Sequence, residues 1–187
     1  MNELAQLWLP IVVAAVLVFI ASSLIHMVFK WHNSDYRKLA NEDDVQAVMR
    51  TGAPARGMYT IPHCTDMKAM QDEAMQKKLN DGPVVFMTVM RNGPPRMGAA
   101  LGLWYLLNLA IAAIAGAVAL HAFGLSIEPA RAACAVGSIS FLAYGGGGVQ
   151  AGIWMGKPWG SVAKDLLDAL IYGAVSALAF WWLWPTG

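Results

Sequence analysis

A small set of polar side chains interrupts the apolar stretches of this chain, and these are the residues whose types could carry chemistry. The set consists of His26, Asn108, Gln150, Asp168 and Tyr172. Ionisable groups at membrane depth are costly to bury, so their presence suggests a functional site. Interpreted in this way, they predict a small polar cavity open to the cytoplasm, with Asp168 and His26 as its titratable members.

The same residues have a structural interpretation. Asp168 follows Lys164 by about one helical turn, near an interface where burial costs little. Together with Asp165 it stands near a helix N-terminus, where the helix dipole favours acids. Asn108 can form a hydrogen bond with a neighbouring helix. The sequence leaves both interpretations open.

The sequence contains no motif for catalysis, cofactor binding or metal binding. The residues near one interface that a membrane enzyme would use are His26, His32, Asp35, Asp165 and Asp168. Asp165 and Asp168 share a helix face, but neither has another acid or histidine at motif spacing, and a metal-dependent site needs more ligands. His63 and Cys64 lack the spacing of a zinc site. We therefore expect no enzyme, no metal and no cofactor.

Glycines predict close contacts between helices. A run of four glycines, residues 145–148, is followed by Gly152, so that Gly148 and Gly152 form a GxxxG pair. Small residues spaced by four let helix backbones approach closely. We predict that Gly145, Gly148 and Gly152 are packing positions, within the bundle or against another subunit. The alternative is a hinge, because consecutive glycines bend easily.

Four apolar segments position these residues, at about 7–29, 99–125, 132–155 and 166–184. Each is about long enough to cross a bilayer core of ~30 Å at 1.5 Å per residue. The chain of 187 residues is 57% hydrophobic and 13% charged, whereas a soluble domain has about 25% charged residues. We predict an all-α integral membrane protein with four transmembrane helices. The first segment is predicted to be a retained anchor, because it lacks the basic start of a signal peptide.

Basic residues predict the orientation of these helices. If residues 30–97 lie in the cytoplasm, only Arg131 of the 13 Lys and Arg residues lies outside. Cytoplasmic loops carry an excess of Lys and Arg. We therefore expect a multi-pass protein with both termini outside the membrane.

Residues 30–97 have the composition of a soluble protein. The pattern predicts a helix capped by Asn41 and ending near Gly52, a strand at 58–61, a second helix from Thr65 to about Leu79, and a strand at 84–90. This α+β insert is too small to be very stable alone. We expect it to lie against the membrane, the helix bundle or a partner.

The insert is rich in methionine: Met58, Met67, Met70, Met75, Met87, Met90 and Met97. Methionine fills irregular gaps in a core, and it also forms adaptable binding surfaces or soft-metal sites. The core interpretation is the ordinary one. The predicted organisation is an anchor helix at 1–29, the insert at 30–97 and a three-helix bundle at 98–187.

Several short stretches of the sequence are distinctive: KWHNSDY at residues 30–36, NGPPRMG at 92–98, GKPW at 156–159, and the Trp-rich C-terminal region. In these stretches the chain resembles an uncharacterised family of bacterial inner-membrane proteins with four transmembrane helices. This resemblance implies an inner-membrane location but no activity and no site residues.

These observations favour a non-enzymatic protein, an accessory, assembly or scaffold subunit of a larger bacterial membrane complex. Its expected partners are the lipid bilayer and other membrane subunits or a second copy of itself. The alternative is a small oligomeric transporter or channel with a cytoplasm-facing polar cavity, although no inverted repeat supports it. A net charge of +1, with acids interleaved among the bases, predicts no nucleic-acid partner.

Overall fold

The computed structural model describes residues 3–185. The chain forms two compact units. Unit 1 contains the described residues up to Tyr36 and from Arg96 onward, and unit 2 is Arg37–Pro95. The first apolar helix therefore belongs to the same unit as the other three, and the insert is shorter at both ends than residues 30–97.

Four helices of unit 1 are long and apolar enough to cross a membrane, which confirms the four predicted apolar segments. They are Glu3–Phe29, Met97–Phe123 (α5), Pro129–Met155 (α6) and Trp159–Leu183 (α7). Within the first, a 3-10 turn at Glu3–Leu7 precedes the α-helix Trp8–Ser23 (α1), and a π-helix follows at Leu24–Phe29. A second 3-10 turn, Trp31–Asp35, follows the π-helix.

The fourth helix begins earlier than the apolar pattern predicted, at Trp159 instead of residue 166. Its first turns carry Ser161 and Lys164, whose side chains bind Asp35 of the Trp31–Asp35 turn. The apolar pattern does not include these turns, because their residues are polar. Their polar side chains instead bind another part of the chain.

The four helices run alternately up and down. One core cluster joins the start of α1 and α6 to the end of α5 and α7, through Leu7, Ala132, Leu120 and Phe180 among others. Phe180 is fully buried and its ring packs where a side chain at Gly116 would stand. The Trp184 indole N–H donates to the Leu125 carbonyl at 3.1 Å and ties the end of α7 to the α5–α6 loop. This end of the bundle is therefore filled by apolar side chains.

Unit 2 contains three short helices and one sheet. They are Glu42–Gly52 (α2), Met67–Met70 (α3), Glu73–Asp81 (α4), and strands Gly57–Ile61 (β1) and Val85–Val89 (β2). The strands pair antiparallel with Met58 opposite Thr88 and Thr60 opposite Phe86. The predicted first helix and both strands are confirmed. Asn41 stands at the predicted start of that helix, but its side chain makes no capping hydrogen bond.

The predicted helix from Thr65 to Leu79 is wrong in one respect, because the chain forms two helices there. Asp66, not Thr65, caps the first by accepting a hydrogen bond from the Lys68 amide at 2.9 Å. Asp72 has extended backbone angles at the start of the second. Aspartate competes for backbone hydrogen bonds and favours helix starts over helix interiors.

No described residue of unit 2 is buried. Met58, Met67 and Met90 are all exposed, so they do not form the core that their composition suggested. The opposite face of the sheet is only half-buried, at Val85, Met87 and Val89, and a small sheet of this kind is marginally stable in water.

Candidate functional site

A cluster of polar side chains lies at the other end of unit 1. It is built from three elements: the π-helix Leu24–Phe29, the turn Trp31–Asp35 and the first half of α7. We call it the His32 cluster, and its members are His26, Trp31, His32, Asp35, Ser161, Lys164 and Asp168.

The local backbone brings this turn back onto α7. Lys30 ends the π-helix in a left-handed conformation (φ 54°), which a residue with a side chain adopts only at a cost. Lys164 of α7 then binds the turn at three atoms: the Trp31 carbonyl at 2.8 Å, Ser34 Oγ at 2.7 Å and Asp35 Oδ1 at 2.7 Å. These three hydrogen bonds from the Lys164 ammonium group stabilise the turn that follows the strained residue Lys30.

His32 bridges two carboxylates. Its Nδ1 lies 2.7 Å from Asp35 Oδ2, and its Nε2 lies 2.9 Å from Asp168 Oδ2. Ionised carboxylates only accept hydrogen bonds, so both contacts are hydrogen bonds only when each ring nitrogen carries a hydrogen. A neutral imidazole ring carries a hydrogen on only one nitrogen. The other nitrogen would then face a carboxylate oxygen without a hydrogen bond, and that contact would need another positive group.

Asp168 is buried, with 6% of its surface exposed. Its Oδ1 accepts a hydrogen bond from the Trp31 indole at 3.1 Å, and Tyr172 approaches its Oδ2 at 3.5 Å. Among the described residues, no Lys or Arg pairs with this carboxylate. A buried carboxylate is costly without a compensating charge, and a charged His32 ring or a bound cation would provide one.

Asp35 is held by the strongest set of charged contacts. The hydrogen bond from Lys164 is the main cause that lowers its pKa from 3.8 to about 2, and further hydrogen bonds from His32 and Ser161 act in the same direction against a smaller opposing effect of burial. Asp35 is therefore ionised at neutral pH and pairs with Lys164.

A pocket of about 350 Å³ opens at this end of the bundle. It is lined by His26, His32, Asp35 and Asp168, together with residues of the α6–α7 turn. In that turn the Lys157 ammonium pairs with Asp165. Both lysines near the pocket thus have their own carboxylate partners.

His26 lies at the edge of the cluster and is exposed. Its Nδ1 lies 2.9 Å from the Ser22 carbonyl, so this nitrogen carries the hydrogen and donates. The ring stacks on His32 with centroids 5.0 Å apart and planes 7° from parallel.

A second polar group lies deeper in the bundle. The rings of Trp104, Tyr144 and Tyr172 pack edge to face or tilted, with centroids 5.2–6.1 Å apart. Tyr144 donates to Asn108 Oδ1 at 3.0 Å, and the Trp104 indole donates to Ser22 Oγ at 2.9 Å. The amide nitrogen of Asn108 is buried and has no partner among the described residues.

The structure separates the five residues that the sequence selected. His26, Asp168 and Tyr172 lie at or beside the His32 cluster. Asn108 belongs to the deeper group through Tyr144, and Gln150 is exposed on α6. The sequence analysis used Lys164 only as a basic residue near the interface that places Asp168. Its role in fixing the turn was missed, because its partners lie at least 129 residues away.

The predicted glycines lie against α7. A side chain at Gly145 would meet Ala169 and Leu166 at 3.1 Å, one at Gly152 would meet Val162 at 3.1 Å, and one at Gly148 would overlap Asp165. All three therefore lie at a contact inside the bundle.

The closest approach of a glycine to the backbone of another helix was not predicted. A Cβ atom at Gly173 would lie 2.8 Å from the Gly137 carbonyl oxygen, which is too close for any real side chain. The spacings Ala133–Gly137 and Gly173–Ala177, small residues four apart, are the signal that could have revealed this crossing.

Comparisons of the chain with protein-family models, with curated proteins and with solved structures give no match. The fold therefore defines the protein only as a bundle of four helices long and apolar enough to cross a membrane. Chemically, the His32 cluster offers imidazole nitrogens and a carboxylate around a pocket, which suits proton or cation binding.

Proposed function

We propose that the protein is a multi-pass protein of the bacterial inner membrane and a non-enzymatic accessory, assembly or scaffold subunit of a larger membrane complex. Support for the membrane location comes from the exposed large apolar residues of its four long helices, such as Leu103, Leu106 and Ile114 of α5. Such a surface suits lipid and is unfavourable in water.

In the proposed orientation, both termini lie outside and unit 2 lies in the cytoplasm, because this places nearly all basic residues inside. The two cysteines allow a direct test. Cys134→Ser leaves Cys64 of unit 2 as the only thiol. A membrane-impermeant maleimide should label this variant in inside-out vesicles and not in right-side-out vesicles. The reverse labelling pattern would show that the topology is opposite to the one proposed.

The observation that carries the subunit proposal is the exposed sheet of unit 2. Met58 is 70% exposed, Phe86 53% and Met90 75%, and no described residue of the unit is buried. Met58 and Phe86 lie on the same face, since Met58 pairs with Thr88, which is two residues from Phe86 on the same strand. Because unit 2 has no buried residue among those described, this apolar face is exposed unless another molecule covers it. We propose that a protein partner covers it.

A groove on unit 1 gives independent support. It has a volume of about 500 Å³ and lies between α6 and α7, lined largely by small residues that include Ala133, Gly137, Gly173 and Ala174. Helices associate in membranes through small residues, because these let backbones approach closely. A transmembrane helix of the partner subunit fits this groove.

The transporter alternative is favoured by one observation, the polar pocket beside Asp168. The opposite end of the bundle argues against it, because Leu7, Phe180 and Trp184 fill that end. A path through one copy would need this core to open. Loss of a proton- or ion-dependent flux in liposomes on Asp168→Asn would support transport.

The main experiment is purification of the tagged protein from its own membranes in a mild detergent, followed by native mass spectrometry and identification of subunits. We expect stoichiometric foreign subunits. Met58→Ser with Phe86→Ser should release them, and so should Ala174→Leu in the groove.

Two control substitutions at exposed positions outside the sheet and the groove test whether loss of the partners is specific. Val48→Ser changes a 73% exposed residue of α2 outside the sheet, and Ala110→Leu enlarges an exposed alanine of α5 outside the groove. Both controls should retain the partners. A pure monomer or homo-oligomer, or equal loss in controls and test variants, would contradict the subunit proposal.

A further inference from the structure

Three side chains of the His32 cluster converge on one point. His26, His32 and Asp168 each offer a ligand atom, and these atoms all lie within 4.8 Å of one another. A metal ion with ligand bonds of about 2.1 Å holds tetrahedral ligands ~3.4 Å apart. His32 Nε2 and Asp168 Oδ2, 2.9 Å apart, are already close to that spacing. His26 is exposed, so its ring can move inward without disturbing a packed core.

The remaining atoms of these side chains are held from outside. Nδ1 of His26 donates to the Ser22 carbonyl, and Nδ1 of His32 faces the Asp35 carboxylate. Metal-binding histidines typically donate one ring N–H to a carbonyl or carboxylate, which orients the other nitrogen towards the ion. Here both rings have such a partner at Nδ1. Nε2 of His32 faces Asp168, the third side chain of the group, so an ion lying among the three side chains can bind both Nε2 atoms.

One carboxylate of the cluster, Asp168, is not paired with a lysine among the residues that the structure describes. Asp35 pairs with Lys164 and Asp165 pairs with Lys157, so each lysine is already matched with a carboxylate. Asp168 is the third carboxylate, and its only charged partner among the described residues is His32. A cation bound at Asp168 would balance this buried carboxylate.

We infer that His26, His32 and Asp168 form a binding site for a divalent first-row transition-metal ion, with Zn²⁺ as the representative ion. Two imidazoles and one carboxylate are the ligand set of open zinc and non-haem iron sites, in which water or a substrate completes the coordination. The site lies at the proposed cytoplasmic end of the bundle, beside the pocket, so it can exchange its ion with water. It does not depend on the proposed role as a subunit.

The backbone around the site agrees with this inference. His26 lies within the π-helix, and a left-handed Lys30 follows it. Short π-helices and strained residues cluster at functional sites because the surrounding structure must hold them in place. A left-handed residue such as Lys30 is also a common way to end a helix, so it is the π-helix around His26 that distinguishes this site.

The competing explanation is a purely structural ion pair, in which a doubly protonated His32 ties Asp35 to Asp168. In that case His26 contributes its hydrogen bond to Ser22 and its stacking on His32, and no ion binds. The two explanations differ in what the exposed His26 does, and this residue can be changed while both contacts of His32 with the carboxylates are kept.

The test uses the full-length protein with a tag that contains no histidine, in detergent or nanodiscs, after treatment with a chelator. Zn²⁺ binding is measured by calorimetry and by metal analysis of the gel-filtered protein. Co²⁺ is added separately, because its visible absorption reports nitrogen and oxygen ligands and their geometry.

His26→Ala is compared with His121→Ala. His121 lies on α5, is exposed, and makes the same contact as His26, from Nδ1 to the carbonyl four residues earlier at 2.8 Å. It has no second histidine or carboxylate beside it in a metal-binding group. The pair therefore separates a general effect of removing a membrane histidine from the loss of a ligand.

We expect one Zn²⁺ per chain in the unmodified protein and in His121→Ala, and binding weakened by at least about tenfold in His26→Ala. Asp35→Asn, which removes the outer partner of His32, should weaken binding by about 10–100-fold. Absence of Zn²⁺ binding by the unmodified protein, or equal affinity in His26→Ala, would overturn the inference and leave the structural ion pair.

Discussion

His32 and Asp168 are 136 residues apart in the chain, and His32 Nε2 lies 2.9 Å from Asp168 Oδ2. This contact joins the end of the first long helix to the start of the fourth. It converts an isolated acid in an apolar segment into part of an organised cluster. Much of the behaviour expected of this protein follows from that pair.

Replacing Asp168 should destabilise the bundle. Asp168→Asn keeps the size of the side chain but removes the charge that faces His32 and one acceptor for the Trp31 indole. Breaking a buried charged contact costs about 3 kcal/mol. We expect thermal unfolding in detergent, followed by scanning fluorimetry, to occur at a clearly lower temperature.

Trp31→Phe provides a milder version, because it keeps an aromatic ring but removes the indole N–H and some ring area, and it should cost at least about 1 kcal/mol. Its control is Trp154→Phe, since Trp154 is 76% exposed and makes no such bond. Equal effects of the two Trp substitutions would show that the bond to Asp168 contributes nothing.

The stability of the cluster should depend on pH through Asp35. Folding lowers the pKa of this carboxyl from 3.8 to about 2, mainly through the hydrogen bond from Lys164. A carboxyl with a lowered pKa stabilises the fold above its unfolded pKa, and this contribution is lost as the pH falls through the folded value. Stability should therefore decrease between about pH 4 and pH 2.

Asp35→Asn should be less stable than the unmodified protein at pH 6 and should show a smaller decrease at acid pH. The measurement is the unfolding temperature in a detergent that does not titrate. Asp81→Asn is the control, because it removes a carboxylate of an exposed ion pair with Lys77 in unit 2. Parallel curves for Asp35→Asn and the unmodified protein would rule out this role.

Lys164 should control the mobility of the Trp31–Asp35 turn. Lys164→Met retains most of the aliphatic chain but removes the three hydrogen bonds to Trp31, Ser34 and Asp35. We expect faster amide hydrogen exchange in the peptide that covers this turn, measured by mass spectrometry. Exchange in the second half of α7 should not change.

Lys157→Met is the matched control, because Lys157 pairs with Asp165 and does not contact the turn. If both variants accelerate exchange of the turn equally, or neither does, then Lys164 does not hold it.

The helices were predictable because burial in an apolar environment imposes a simple rule. Every backbone group within a lipid-like environment must be bonded inside its own helix, so apolar length alone indicates a span. Apolar length did not predict the start of α7, because the first turns of this helix contain polar residues. Two of them, Ser161 and Lys164, bind Asp35. Such partners are set by tertiary structure and leave no local pattern.

The site was predictable only in part, for a similar reason. Asp168 and His26 were recognised because polar groups are rare in apolar segments. Their grouping with Trp31 and His32 depends on the turn that Lys30 begins with a positive φ, and nothing in the type of this residue indicates that conformation. Gln150 was selected by the same polarity rule but is exposed, because polarity does not specify which face of a helix is covered.

The crossing of α6 and α7 should be intolerant of any side chain at Gly173. A Cβ atom there would lie 2.8 Å from the Gly137 carbonyl oxygen and 3.3 Å from the Phe141 Cβ atom, and a backbone oxygen cannot rotate away. Gly173→Ala should therefore destabilise the protein by about 1–3 kcal/mol through overpacking. Gly147→Ala is the control, since a Cβ atom there meets no described atom within 4 Å, and alanine favours a helix over glycine by up to about 1 kcal/mol. The two variants should thus shift the unfolding temperature in opposite directions, and a Gly173→Ala protein as stable as the unmodified one would contradict the close approach of these helices.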